Sequence, residues 1–382
     1  MPKRILNVVS VFFSIPFFFG DQLKYFHEKE YEIHLICSPS NKLGQYAESQ
    51  FFRYKEVHIL RKFSIIQDLI AAFQIYKYIK ANKFDVVCGH TPKAAFLSMI
   101  AAFLARTPKR IFFRHGLVYE TSTGVKRVIL VAIEKLTSFL ATKVVCVSPY
   151  LIERSIKDGL TKKKKMILLN KGSCNGVDAL GVFNPHNLNK DRVQGYRNNL
   201  GIPEGHFVIG YVGRLVKDKG IIELVDSFMN IVKQRPNVLL LLVGPEEARD
   251  SISSETRKII KEEPRIIATG AVEKNIEYFY SLMDVLILPT HREGLGTTIL
   301  EGSAMSKPVL TTAHTGSRDA MVDRWTGSHI LMDSSSITNE LIKYIENPEL
   351  CRERGVNGRK FVLDNFQQQL IWQEIERKLY DE

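Results

Sequence analysis

The chain has 382 residues, room for two or three domains of about 150 residues each. With 45% apolar and 25% charged residues, it has the composition of an ordinary folded protein, which excludes disorder, collagen and coiled coil. The net charge of +12 is unevenly held: residues 1–181 carry 28 Lys and Arg against 13 Asp and Glu, whereas residues 182–382 carry 25 against 28. The basic half suits a polyanion or an anionic membrane surface.

Five cysteines (Cys37, Cys88, Cys146, Cys174, Cys351) stand singly with no C-x-x-C pair. A disulfide framework and a zinc ribbon are therefore not expected, and the thiols read as small buried groups in a reducing compartment.

In chain order, apolar runs with strand character fall at 5–9, 31–37, 55–60, 84–89, 110–115 and 143–148. Stretches with helical spacing lie between them, notably 66–81 and 125–141. The opening twenty residues combine a basic pair with an apolar run, but Asn7, Ser10, Ser14 and Pro16 interrupt it and no small-residue cleavage site follows. They read as a first strand and a loop entering a helix near Asp21 rather than as a signal peptide. The run 94–105 is too short to span a bilayer, which takes about 20 residues, and reads as a core helix.

A basic, Gly/Asn-rich passage at 161–181 breaks the rhythm, and the boundary between domains 1–181 and 182–382 is placed at its end. The alternation then restarts, with strands at 206–213, 238–244, 265–270, 284–289 and 308–312 and helices at 219–235, 247–262, 274–283 and 295–306. Apolar strands separated by helices predict parallel sheets covered on both faces. The fold class is thus α/β: two tandem doubly wound Rossmann-like domains facing across a cleft, with the C-terminal helix free to pack back on the first. Each domain should bind ligand outside the carboxyl ends of its strands.

Two motifs carry chemistry. In VGRLVKDKG, Gly213 ends a strand, Arg214 offers a planar fork for phosphate oxygens, and Lys219 adds a point charge where a helix opens. In PTHREGLGTTILEGSAMSKP, Glu293 and Glu301 stand in an E-x7-E arrangement. There Gly294 and Gly296 form a loop that opens a helix near Leu295, so free amides and the positive helix end face an anion. Glu301 is expected about two turns into that helix. Each motif alone has a bland reading as a basic turn or a surface carboxylate; their company argues for a diphosphate-sugar site.

Together they resemble the donor-binding half of retaining glycosyltransferases of the GT-B fold, specifically family 4 of the nucleotide-sugar enzymes, over roughly 206–332. The first half is similar to the capsule and O-antigen branch in its H-T-P-K-A-A (90–95), His115-Gly116, V-S-P-Y-L (147–151) and N-G-V-D (175–178) segments. The resemblance implies that Gly213, Arg214, Lys219 and the Gly294–Leu295–Gly296–Thr297–Thr298 amides hold a donor diphosphate. It assigns the ribose to Glu301, the transferred sugar to Glu293 and His115, the base to Val272, and the approach to the phosphates to Gly20. Glu293, His115, Arg214 and Lys219 are the implied catalytic residues.

The family pattern has a glycine where Ser306 stands and a glutamate where Asp319 stands. No metal is expected, since two cations and a helix end supply the charge and no D-x-D occurs. No other cofactor is expected either.

The residues and the resemblance together predict retaining, metal-independent transfer of a hexosyl or N-acetylhexosaminyl group from a UDP-sugar. The expected acceptor is a polyprenyl-diphosphate-linked or oligosaccharide glycan of a bacterial surface polysaccharide. The enzyme is expected in the cytoplasm, peripheral on the inner face of the membrane through its basic first domain, with no nucleic-acid partner. An epimerase or phosphorylase relative and a non-catalytic basic membrane- or glycan-binding protein are the alternatives. Segment 124–143 reads as a core helix, with an interfacial surface as its alternative. His90 is placed equally as a helix cap or a cleft residue; His27, His34 and His58 read as packing or surface residues.

Overall fold

The computed structural model describes residues 2–60, 62, 64–247 and 250–381. The chain divides into two compact units, residues 1–176 with 369–382, and residues 177–368. The crossing falls five residues before the expected 181, and the last fourteen residues belong to the first unit rather than the second.

In the first unit seven parallel strands form one sheet: β1 (Arg4–Val8), β2 (Glu32–Cys37), β3 (Arg53–Glu56), β4 (Val86–Gly89), β5 (Lys109–Arg114), β6 (Lys143–Cys146) and β7 (Met166–Ile167). Their order is β3-β2-β1-β4-β5-β6-β7. The connecting helices are α1 (Ser14–Phe19), α2 (Gln22–Glu28), α3 (Leu43–Ser49), α4 (Ile65–Asn82), α5 (Pro92–Leu104), α6 (Gly124–Leu140) and α7 (Pro149–Lys157).

The second unit holds α8 (Lys190–Asn199), α9 (Ile221–Val232), α10 (Ser254–Glu262), α11 (Ile276–Ser281), α12 (Thr297–Ala304), α13 (Ser334–Glu346) and α14 (Pro348–Asn365). Its sheet comprises β8 (Phe207–Val212), β9 (Val238–Val243), β10 (Ile266–Ala268), β11 (Val285–Leu288), β12 (Val309–Thr312) and β13 (Gly327–Ile330), in the order β10-β9-β8-β11-β12-β13. A last helix, α15 (Gln368–Ile375), leads back to the first unit.

The inner strands are apolar because helices cover both faces; β9, VLLLLV, is buried at every position, whereas the edge strand β3, RYKE, is exposed at each. In the first unit Ile5, Leu35, Val86, Ile111 and Val145 meet Leu23 and Phe26 of α2 and Ile371, Trp372 and Ile375 of α15. Each such side chain contributes about 1.5–3 kcal/mol. The Trp372 indole donates to Asn175 Oδ1 at 2.8 Å, which ties the returning helix to the unit's last loop.

Several boundaries differ from the sequence expectation for physical reasons. The strand expected at 55–60 lies at Arg53–Glu56, because pairing with β2 ends at Cys37 opposite Glu56. The helix expected from 247 begins at Ser254, where the Ser253 hydroxyl caps the Thr256 amide at 3.0 Å. The helix expected from 219 begins at Ile221, because Gly220 adopts φ +68°. A Cβ at Gly220 would lie 1.7 Å from the Pro289 carbonyl oxygen, so only glycine lets the start of α9 meet the end of β11.

Strand order reverses between β1 and β4 in the first unit and between β8 and β11 in the second. At such switch points the connections diverge to opposite faces and leave a crevice at the carboxyl ends.

Candidate functional site

In the second unit the motif residues gather at the β8/β11 switch point. Gly213 and Arg214 leave β8, and a short turn, Lys217–Lys219, leads to Gly220. Across from it runs the loop after β11, 289–296. The two are cross-bridged: the Asp218 carbonyl accepts from the His291 amide at 2.9 Å and the Asp218 carboxylate pairs with Arg292 at 2.8 Å. His291 Nε2 lies 2.9 Å from Glu223 on α9.

Within this frame the Lys219 ammonium pairs with Glu293, both largely shielded from solvent. The other Glu293 oxygen accepts from the Gly294 amide at 3.1 Å, and the Glu293 carbonyl accepts from Gly316 at 3.0 Å. Arg214 is half exposed and pairs with Glu247 at 2.7 Å. Both cations are thus neutralised by carboxylates, where the sequence had them as bare charges. The buried Tyr211 hydroxyl donates to the Arg214 carbonyl at 2.8 Å and fixes the backbone there.

Helix α12 begins at Thr297, two residues later than expected, with Gly296 at its N-cap and no side-chain cap. The first-turn amides of Thr297 and Thr298 have no acceptor within the helix, and the buried Leu295 anchors the turn. Glu301 consequently lies just over one turn into α12 rather than two. It accepts a hydrogen bond from the Tyr280 hydroxyl at 2.6 Å, and burial pushes its carboxyl up to about 7. Val272 lies half-buried between β10 and α11, outside the hydrogen bonds and ion pairs just described.

His115 and Gly20 belong to the first unit. At the β1/β4 switch point His90 is buried, with Nε2 3.1 Å from Asn7 Oδ1 and Nδ1 3.3 Å from His115 Nε2. The His115 ring stacks on Phe18 at 3.9 Å. Burial holds both imidazoles neutral, His115 at about 3 and His90 well below its ordinary value, with the neighbouring His115 adding to the latter shift.

Gly20 ends α1 at φ 47°, ψ −123°, a conformation glycine alone adopts readily; its carbonyl accepts from Tyr46 at 2.9 Å. Thr91, beside His90, is β-branched at φ +54° and is held there by Ser10, whose hydroxyl lies 2.8 Å from its own. Such strain collects at functional sites.

Sequence reasoning missed Tyr280, Glu247 and Asn7. No spacing rule connects these residues to their partners; only the fold does. His34 is buried between Tyr78 and Glu32, in keeping with a packing role. Among the described residues no group of three or more His, Cys, Asp or Glu side chains is placed to hold a metal ion.

Residues 193–361 match the family of glycosyl transferases group 1, and residues 19–170 match Glycosyltransferase Family 4. The capsular polysaccharide biosynthesis glycosyltransferase CapM of Staphylococcus aureus is 34% identical over 98% of this chain and 96% of its own length. A UDP-Gal:alpha-D-GlcNAc-diphosphoundecaprenol alpha-1,3-galactosyltransferase of Escherichia coli is 27% identical over 87% of each chain. Among solved structures, HepE of Anabaena in complex with UDP and glucose superposes with a TM-score of 0.81 over 99% of both chains at 18% identity.

The two doubly wound sheets are those of the GT-B glycosyltransferase fold. The chain belongs to glycosyltransferase family 4.

Proposed function

We propose that the chain is a retaining transferase that moves a hexosyl or N-acetylhexosaminyl group from a UDP-sugar to a lipid-linked glycan of a surface polysaccharide. The observation that carries this reading is the meeting of Lys219, Glu293 and the open start of α12 at the β8/β11 switch point. The likeness to the capsule glycosyltransferase, to the diphosphoundecaprenol galactosyltransferase and to the UDP-bound fold supports the choice of donor and acceptor.

In this reading Arg214, Lys219 and the Gly294–Thr298 amides receive the diphosphate. As the bond from C1 to the diphosphate oxygen breaks, negative charge builds on the leaving group, and each fixed donor aimed at it supplies about 3–4 kcal/mol. The acceptor oxygen bonds to C1 on the same face, and its proton passes to the departing phosphate oxygen. Glu293 holds the transferred sugar, and Lys219 holds Glu293. Glu301 grips the ribose diol, Gly213 provides the turn that presents Arg214, and Val272 serves the base.

The first unit contributes Gly20 toward the phosphates and His115 toward the sugar. The Asn7 carbonyl oxygen accepts from His90 Nε2, so His90 Nδ1 accepts from His115 Nε2 and His115 Nδ1 is left as an acceptor. A sugar hydroxyl would therefore donate to it. The excess of positive charge in residues 1–181 supports peripheral attachment at an anionic membrane face, in this reading the cytoplasmic one.

Thermal-shift titration with UDP, GDP, ADP and CMP tests the reading. UDP at a hundredfold its Kd should add about 2.7 kcal/mol, and Arg214→Ala should abolish that shift while the unliganded Tm stays. Indifference to all four nucleotides would refute it. Turnover of a UDP-sugar with no acceptor present would favour an epimerase.

A further inference from the structure

Helix α6 buries polar residues and exposes an apolar stripe. Its buried residues are Glu134, Thr137, Ser138 and Leu140, with Leu130, Val131 and Ile133 half-buried beside them. The cause is Arg114 at the end of β5, which is fully buried and needs Glu134 at 3.1 Å, Ser138 at 2.6 Å and Ser155 at 2.7 Å. A buried guanidinium must be paired and hydrogen-bonded, so the polar side of α6 faces the sheet. The apolar residues Val125, Val128, Ile129, Leu136 and Phe139 are left outward, 44–76% exposed, at helical spacing. The expectation of a core helix at 124–143 is overturned.

Helix α4 repeats the pattern over its first half, where Ile65, Ile66, Leu69, Ile70 and Phe73 are 46–80% exposed. Both helices pack against α5, so the two stripes lie in one layer of the first unit. The exposed charges on the two helices have one sign. Lys126, Arg127 and Lys135 are exposed on α6, as are Lys162, Lys163 and Lys164 beyond it. The two helices carry only two carboxylates: Asp68, paired with Lys93 at 2.7 Å, and Glu134, buried on Arg114. Apolar stripes flanked by cations with no exposed acid complement an anionic lipid surface.

We propose that the outward faces of α4 and α6 form a membrane seat, with their apolar side chains entering the acyl boundary of an anionic bilayer and the surrounding cations resting on lipid phosphates. This deepens the peripheral attachment proposed above, and rests on it.

The test is sedimentation of the full chain with vesicles of phosphatidylethanolamine and one-third phosphatidylglycerol, against pure phosphatidylcholine. The triple variant Val128→Ser, Ile129→Ser, Phe139→Ser should lose at least about tenfold in vesicle affinity. Lys162→Gln, Lys163→Gln and Lys164→Gln should each lose up to about fivefold, on the anionic vesicles only. Both sets should keep the wild-type Tm and UDP shift. Vesicle binding that survives the triple variant overturns the proposal. So does a lipid-free dimer, seen by light scattering, that the triple variant dissociates. If wild type binds vesicles but UDP shifts nothing, the nucleotide reading fails and the membrane seat stands.

Discussion

The sharpest consequence of the site concerns Glu301→Gln. Burial pushes the Glu301 carboxyl up to about 7 from an ordinary 4.5. The difference of about 2.5 units corresponds to about 3 kcal/mol. Below pH 4.5 the carboxyl is protonated in both folded and unfolded chains and costs nothing. Between 4.5 and 7 the unfolded chain ionises while the folded one keeps its proton, so stability falls as pH rises. Above 7 the whole penalty is present.

Glutamine does not titrate and can still accept from Tyr280. The stability of the variant relative to wild type should therefore grow by about 3 kcal/mol between pH 4.5 and 8. For a unit of this size that is about 6–12 °C in Tm. Calorimetry of both proteins across this range measures it. In the proposed reading a ribose diol donates to the ionised Glu301 carboxylate, so wild-type UDP affinity should rise through pH 7 while that of the variant stays weak and flat. A pH-independent stability gap would refute the reasoning, and equal UDP affinity would remove the ribose from Glu301.

Three further predictions use other contacts. In the proposed reading Lys219→Ala removes a donor to the leaving group, and it frees Glu293, so kcat should fall by about 10²–10³ in a radiolabelled-sugar transfer assay; a loss under fivefold would exclude the lysine from the transition state. Tyr280→Phe removes the hydrogen bond that favours ionised Glu301, which should raise the donor KM several-fold at pH 7 with kcat nearly kept, and move the pH midpoint of UDP binding upward; an unchanged midpoint would make the tyrosine merely structural. Glu134→Ala leaves Arg114 buried without its carboxylate and should cost the first unit about 3–5 kcal/mol in urea unfolding; a cost below about 1 kcal/mol would mean that water replaces the partner.

Much of the fold was legible because strands such as VLLLLV (238–243) are apolar at every position and alternate with helical spacing. That combination admits little besides covered parallel sheets. What escaped was short or context-bound. β7 has two residues and β13 is GSHI, too little pattern to register. The periodicity of α6 reveals a stripe but not which way it faces; a single buried arginine on β5 decides that. The family's glycine position held by Ser306 lies at φ +58°, so there the departure is a backbone strain that sequence alone shows only as a mismatch.

The site divided in the same way. Glycines beside strand ends and cations near a helix start are legible because an anion needs amides and positive charge at fixed places. The partners of those groups are not, since Tyr280 and Glu301, or Asn7 and His90, meet only after the chain folds.

The two switch points also differ in kind. In the second unit charges face one another in pairs, Lys219 on Glu293 and Asp218 on Arg292, so in the proposed reading the diphosphate meets cations that already share a carboxylate rather than a bare positive hole. In the first unit the equivalent crevice holds imidazoles that burial keeps uncharged, stacked on phenylalanine. In the proposed reading a neutral acceptor nitrogen there orients a sugar hydroxyl without opposing the positive charge that builds on the anomeric carbon as the bond breaks. The charged pairs and the neutral imidazoles thus lie in separate units, and burial raises the Glu301 carboxyl to about 7.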